Sequence, residues 1–333
     1  MADTQAKKYL VDPQLQESLD LLLATYPGGL NSPDTIEERR DLISRYLSQF
    51  PQSDLVSRTD MKIESKNGGP DIPIRLYRPL YPTASNHIDC AVIVIHGGGM
   101  VMGDIGSDDA NAAFLSLKLN CLVIGIDYRL APEHPFPAAL DDCSDVAAWL
   151  FANALDLKIS LDKIVLYGGS AGGGLAIALG LRMRDQALKQ FALICAPYPM
   201  IDDRNQTPAT FEITDLGIWD RKANIESWSW YLGQQASSEV NPEFSQVSIY
   251  AAPSRAEDLS GLAPIYTDVG DLDLFRDDVI DFVNRLQAAG NDVEFHLIPG
   301  MFHAGELFNP DATISKALWQ RRFNKIIGAF NRG

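Results

Sequence analysis

A serine on a glycine-rich turn, a few histidines and a loop with two aspartates carry most of the chemistry this chain can offer. In Gly168-Gly169-Ser170-Ala171-Gly172-Gly173 the serine follows one apolar run, Ile164 to Tyr167, and precedes another, Leu175 to Leu179. The pattern reads as strand, sharp turn, helix. Glycines two residues either side of a strained serine let strand and helix approach closely. A helix starting at Ser170 directs free N–H groups and its positive dipole end at any negative charge forming beside the hydroxyl. Other glycine-rich loops fit less well. A dinucleotide loop needs glycine where Ser170 stands, and a P-loop needs a Gly-Lys-Ser/Thr ending that is absent.

A hydroxyl nucleophile needs a base, and the base needs an acid to orient it. The chain has five histidines. His87 precedes a strand pattern and His296 lies within one, where structural roles are expected. His134 follows a strand in a proline-rich stretch, as a structural residue or a rival base. His303 falls just past the last strand, which suits the chain order serine, acid, histidine, and is the favoured base. The loop after Val269 offers Asp271 and Asp273 as the acid, and spacing alone leaves that choice open. Asp277 and Asp278 open the next helix, where carboxylates favour the dipole. His96-Gly97-Gly98-Gly99 ends another apolar strand. It can present bare backbone N–H groups to an oxyanion, alongside the N–H of Ala171.

These residues need a frame that brings them together. Leu15, Leu19, Leu22 and Leu23 mark one helix, and Ile36, Leu42, Ile43, Tyr46 and Leu47 a second, separated by Tyr26-Pro27-Gly28-Gly29. Neither buries its apolar face alone, so both are expected to lie on something larger. Alternation from Val56 to Arg78, with Asn67-Gly68-Gly69-Pro70 between, predicts an opening hairpin. Buried strands are expected at Cys90 to Ile95, Leu122 to Ile126, Ile164 to Tyr167, Phe191 to Ala196, Ile265 to Val269 and Val293 to Ile298. Helices are expected over about 137–153, after Ser170, over 276–289 and over 312–331. Strands alternating with helices imply a doubly covered, mostly parallel α/β sheet with its ligand site beyond the strands' carboxyl ends. The pattern breaks down from Tyr198 to about Ser260, a stretch that holds Trp219, Trp228 and Trp230.

At 333 residues the chain is long enough for one large domain with a lid, or for two ordinary domains. A net charge of −16 without a basic cluster argues against nucleic acid and anionic lipid as partners. Small neutral substrates are expected. The polar N-terminus and the lack of a long apolar run predict a cytoplasmic protein with no membrane association. Cys90, Cys121, Cys143 and Cys195 have no metal-like spacing and read as buried thiols; no metal is expected.

Five motifs in order then identify a resemblance. They are His96-Gly-Gly-Gly99, Asp127-Tyr-Arg-Leu-Ala-Pro-Glu-His-Pro-Phe-Pro-Ala138, the serine turn, Gly270-x-x-Asp273-x-x-Arg276-Asp277, and Pro299-Gly-x-Phe-His303. Together they resemble the hormone-sensitive-lipase-like family of α/β-hydrolases. The resemblance implies Ser170 as nucleophile, Asp273 as acid, His303 as base, and the N–H groups of Gly98, Gly99 and Ala171 as the oxyanion hole. It gives His134 a structural role. It also implies a cofactor-free carboxylesterase acting on short or medium acyl esters, with a homodimer through an edge strand by analogy. A lactonase, amidase or dehydratase on the same scaffold, or a non-catalytic receptor, are the alternatives. Residues 1–50 form an arm of the cap and 198–260 its insertion, on a core of 51–197 and 261–333. Met100, Tyr198 and Trp219 are expected to line the pocket. Gly169 stands where the family has Asp or Thr, Gly174 where it has Asn, and Leu274 where a proline often follows the acid. The first of these predicts a looser turn that an aspartate would tighten without harm, unless the native φ is positive and forbids a side chain.

Overall fold

The computed structural model describes residues 10–47, 49–50, 52–82, 89–233 and 247–332. His87 and residues 1–9 lie outside them. The apolar runs become strands: β1 (Val56–Ile63), β2 (Ile72–Pro79), β3 (Ala91–Ile95), β4 (Leu122–Ile126), β5 (Ile164–Tyr167), β6 (Leu193–Cys195), β7 (Ile265–Leu272) and β8 (Val293–Phe302). They form one sheet in the order β1-β2-β4-β3-β5-β6-β7-β8. β1 and β2 are the expected hairpin, β2 joins β4 antiparallel, and β4 through β8 pair in parallel. Every residue of β3, β4 and β5 is buried, which is why these strands read as unbroken apolar runs.

The helices are α1 (Pro13–Thr25), α2 (Ile36–Leu47), α3 (Asp109–Leu119), α4 (Ala138–Leu157), α5 (Ala171–Asp185), α6 (Pro208–Glu212), α7 (Arg221–Leu232), α8 (Arg276–Ala288), α9 (Gly305–Phe308) and α10 (Thr313–Phe330). None of them is long and apolar enough to cross a membrane. The sequence reading passed over α3. Its alanines and leucines run all round the helix, and its buried side includes Asp109, held by Arg58 and Arg75, so no apolar stripe stands out. Topology did hold a signal, because parallel neighbours such as β3 and β4 need a crossover between them. α4 runs past the expected end at 153 to Leu157, where Lys158 adopts a left-handed conformation with φ 62°. β6 is shorter than expected, whereas β7 and β8 extend to Leu272 and Phe302. Pro299 is tolerated in β8 because that strand is at the sheet edge.

The N-terminal arm touches both the core and the 198–260 insert. Asp12 accepts a hydrogen bond from Gln14 N (2.9 Å) at the start of α1, and its own N–H donates to the Gly300 carbonyl (2.9 Å). Arg39 of α2, 2 % exposed, donates to Glu226 of α7 (2.7 Å). Arg40 donates to the carbonyls of Val101 and Ala131, in the core.

Candidate active site

The sheet brings its reactive side chains to the carboxyl ends of β5, β7 and β8. Ser170 has φ 57° and ψ −122°, a strained conformation for a residue with a side chain, and α5 begins at the next residue. The neighbouring glycines are required by contact. A Cβ at Gly172 would fall on the Ile95 carbonyl, and one at Gly168 on the Gly172 carbonyl. Backbone bonds fix the turn from Ser170 N to Pro197 O (3.1 Å) and from Met200 N to Ser170 O (2.9 Å).

The pairing of β7 with β8 is irregular between Gly270 and Leu272, after which Leu272 pairs with Phe302. This shift makes the next residues of the two strands, Asp273 and His303, leave the sheet side by side. His303 Nδ1 lies 2.9 Å from Asp273 Oδ2, and His303 Nε2 lies 3.0 Å from Ser170 Oγ. Asp273 is fully buried, and its other oxygen accepts from Phe275 N (2.9 Å). Asp271 points elsewhere, accepting from Gly300 N (2.7 Å). Asp277 accepts from Ala209 N (2.8 Å) and Arg276, at the start of α8. Of the two aspartates that spacing left open, Asp273 is the one beside His303.

The loop after β3 lies against the serine turn. A Cβ at Gly97 would be 3.2 Å from Gly169 O and 3.5 Å from Ser170 Cβ. Gly98, Gly99 and Met100 all have positive φ, and Gly98 O accepts from Val101 N and Met102 N, closing a tight turn. No hydrogen bond from the N–H groups of Gly98 or Gly99 is present among the described residues. Ala171 is the first residue of α5, so its N–H has no intrahelical acceptor. His96 braces this loop by stacking on Tyr128 with ring centroids 4.1 Å apart, while Tyr128 Oη donates to His96 O (2.9 Å). Burial pushes the His96 imidazole down to about 4, so it is neutral, and Nδ1 donates to Gly97 O (2.8 Å).

Of the expected pocket residues, Tyr198 and Trp219 reach the site. Their rings lie 5.1 and 6.3 Å from the His303 ring, and Phe275 lies at 5.2 Å. Met100 is buried, with its side chain toward Gly174. His296 bonds Glu294, and His134 lines a separate cavity of about 480 Å³ with Arg40, Asp104, Asp127 and Glu133. That cavity does not include Ser170, whose own surroundings are closed: the serine is 7 % exposed. Sequence reasoning missed Glu306, which accepts from Tyr198 Oη (2.8 Å) and from Arg322 Nη1 (2.6 Å). The contact at Gly169 was likewise not foreseen. That residue has no positive φ, so its glycine does not serve a special backbone conformation; a Cβ there would meet Tyr198 Cε2 at 3.0 Å.

A strained serine at a strand-to-helix turn, bonded to a histidine that is bonded to a buried aspartate, sits on a mostly parallel sheet. A family described as having the alpha/beta hydrolase fold matches residues 92–306, the span that holds all of these groups. The chain belongs to the α/β-hydrolase family. It is 33% identical over 302 residues to the esterase LipI of Mycobacterium tuberculosis, covering 90% of this chain and 89% of that one. Among solved structures it is similar to a bacterial heroin esterase, with a TM-score of 0.86, 33% identity and coverage of 96% and 98%. It is also similar to an esterase of the bacterial hormone-sensitive lipase family, with a TM-score of 0.80, 25% identity and coverage of 96% and 99%. The resemblance read from the five motifs therefore holds. Among the described residues no cluster of His, Cys, Asp and Glu is placed to hold a metal ion, and the four cysteines are free and buried.

Proposed function

We propose that this α/β-hydrolase is a carboxylesterase in which Ser170, His303 and Asp273 act as nucleophile, base and orienting acid. The observation that carries the reading is the continuous hydrogen-bonded line from Ser170 Oγ through His303 to a fully buried Asp273. Asp273 accepts from Nδ1–H and thereby leaves the lone pair on Nε2 facing the hydroxyl. Attack by Oγ on the ester carbonyl moves the hydroxyl proton to Nε2. The oxyanion that forms meets the N–H groups of Gly98, Gly99 and Ala171, which have no competing acceptor among the described residues. Collapse of this intermediate expels the alcohol, which takes the proton from Nε2. Water then repeats the sequence on the acyl-serine, and no cofactor enters.

The two N-terminal helices and the 198–260 insert form the cap over this site, with 51–197 and 261–333 as the catalytic core. Tyr198 and Trp219 bound the pocket, and their bulk beside a barely exposed serine supports short or medium acyl groups. Two copies pairing along the edge strand β8 would give a homodimer, which light scattering tests. For the chemistry, the decisive experiment is labelling by a fluorophosphonate, with tryptic mapping of the adduct, followed by rates on p-nitrophenyl esters of rising chain length. Labelling at Ser170, with rates highest on the short and medium esters, is the expected result. Adduct elsewhere, or unchanged turnover in Ser170→Ala, overturns the assignment.

A further inference from the structure

Trp219 does more than approach His303. A Cβ added to Gly99 would collide with the Trp219 ring and come within 2.9 Å of Ser227 Oγ. The indole therefore lies directly on the loop whose N–H groups face the reacting carbonyl. Its own N–H donates to Asn224 Oδ1 (3.1 Å) on α7. Trp219 is carried by an irregular stretch between α6 and α7 that joins no strand of the sheet. The N-terminal arm grips that stretch. Leu30 N donates to Gly217 O (2.9 Å), and Asn31 Nδ2 donates to Ile218 O (2.6 Å). Gly29 and Gly217, both at φ 83°, cross so closely that a Cβ on Gly29 would overlap the Gly217 carbonyl. Leu23 of α1 also packs on Gly217. Both carbonyls that the arm holds belong to the residues just before Trp219, nearly two hundred positions away in sequence.

The geometry assigns Trp219 as the wall that limits the size of the ester group lodged between the oxyanion loop and His303, with Asn31 and the Gly29–Gly217 crossing as the positioning residues that hold it there. This inference rests on the esterase reading. The substrate class favoured by a fixed indole is the ester whose group on that side is small, such as an acetate. Asn31 makes no contact with the triad, so its effect is indirect: it restrains the backbone that carries the indole, and loosening it lets the ring give way to a longer group.

The test is a double-mutant cycle on the full chain, read as the ratio of kcat/KM for p-nitrophenyl hexanoate to that for p-nitrophenyl acetate. Trp219→Ala is expected to raise this ratio by about ten-fold or more, the scale set by contacts of a methylene or two in an apolar pocket. Asn31→Ala, or the milder Asn31→Ser if the first folds poorly, is expected to raise it in the same direction by a few-fold. In the combined variant Asn31→Ala is expected to add nothing, because the ring it positions is gone. Two additive effects, or an Asn31 variant that only lowers the thermal midpoint and leaves the ratio alone, overturn the assignment. Failure of the underlying reading looks different: wild type then hydrolyses neither ester.

Discussion

Replacing Asp273 by asparagine tests the geometry of the triad most directly, because the surroundings dictate how the amide must turn. Asp273 Oδ1 accepts from Phe275 N at 2.9 Å, and Oδ2 faces His303 Nδ1 at 2.9 Å. If the asparagine oxygen stays with Phe275, its NH2 group faces His303 Nδ1. That forces the proton onto Nε2, where it points at Ser170 Oγ, and no base remains. If the amide flips, the NH2 group opposes the Phe275 N–H in a fully buried site. An opposed, unmade hydrogen bond costs about 1 to 3 kcal/mol, which holds the productive orientation to roughly a fifth to a hundredth of the molecules. Even those lack the negative charge that stabilises the imidazolium in the transition state. Together the two losses are expected to approach the ~10⁴-fold effect of the same exchange in a serine-protease triad, about 5.5 kcal/mol of transition-state stabilisation. Steady-state kinetics on p-nitrophenyl acetate should show the loss in kcat with little change in thermal midpoint. Asp271→Asn, whose carboxylate accepts from Gly300 N rather than facing His303, should stay within about ten-fold of wild type. A loss under ten-fold in Asp273→Asn, or the reverse ranking of the two variants, refutes the role given to Asp273.

Ser170→Ala should remove turnover while circular dichroism and thermal midpoint stay close to wild type, since the strained backbone is already accommodated with a Cβ in place. Gly169→Asp should lower the midpoint by a few degrees rather than raise it. Its Cβ lies 3.0 Å from a Tyr198 ring that Glu306 and His303 hold in place, and such overpacking costs about 1 to 3 kcal/mol; an unchanged or higher midpoint by calorimetry would show that Tyr198 can yield. Burial, and then the neighbouring Asp202 carboxylate, push Asp278 up to about 8. A carboxyl whose folded value is raised destabilises the fold as pH climbs from the unfolded range near 4 toward 8, so Asp278→Asn should raise the midpoint more at pH 8 than at pH 5. Equal shifts at both pH values would mean that Asp278 does not titrate there.

Much of the framework around the candidate site was legible because its constraints lie between backbones. Where strand, turn and helix come within contact distance, a side chain cannot fit, and Gly168, Gly172 and Gly98 record this directly in the sequence. His303 was legible because it follows β8 immediately. Asp273 was not separable from Asp271 by spacing, since the register shift at Gly270 decides which carboxylate turns inward. Gly169 shows the limit of the same logic. A Cβ there would crowd the Tyr198 ring, a side chain from beyond the next strand's end, and nothing local in the sequence distinguishes such a contact from a need for backbone freedom. The contacts of Asn31 with the Trp219 segment are likewise invisible to any local pattern, because neither partner lies on a regular element.

The group that pins Tyr198 extends this dependence to the end of the chain. Arg322, on α10 and fully buried, forks onto Asp268 of β7 at 2.8 Å and reaches Glu306 of α9 at 2.6 Å. Three charges taken out of water carry a large desolvation cost, and a well-packed apolar replacement is often no less stable, so stability alone is a weak reason for such a cluster. Its geometry supplies another. Glu306 stands three residues after His303, Asp268 O accepts from Tyr198 N, and Tyr198 Oη closes the loop onto Glu306. The strand end that carries His303, the helix behind it and the ring that flanks the imidazole are thus tied to one guanidinium. A hydrogen-bonded line drawn from three strand ends needs its histidine held against Ser170 and Asp273 at once, and here the closing helix supplies part of that restraint.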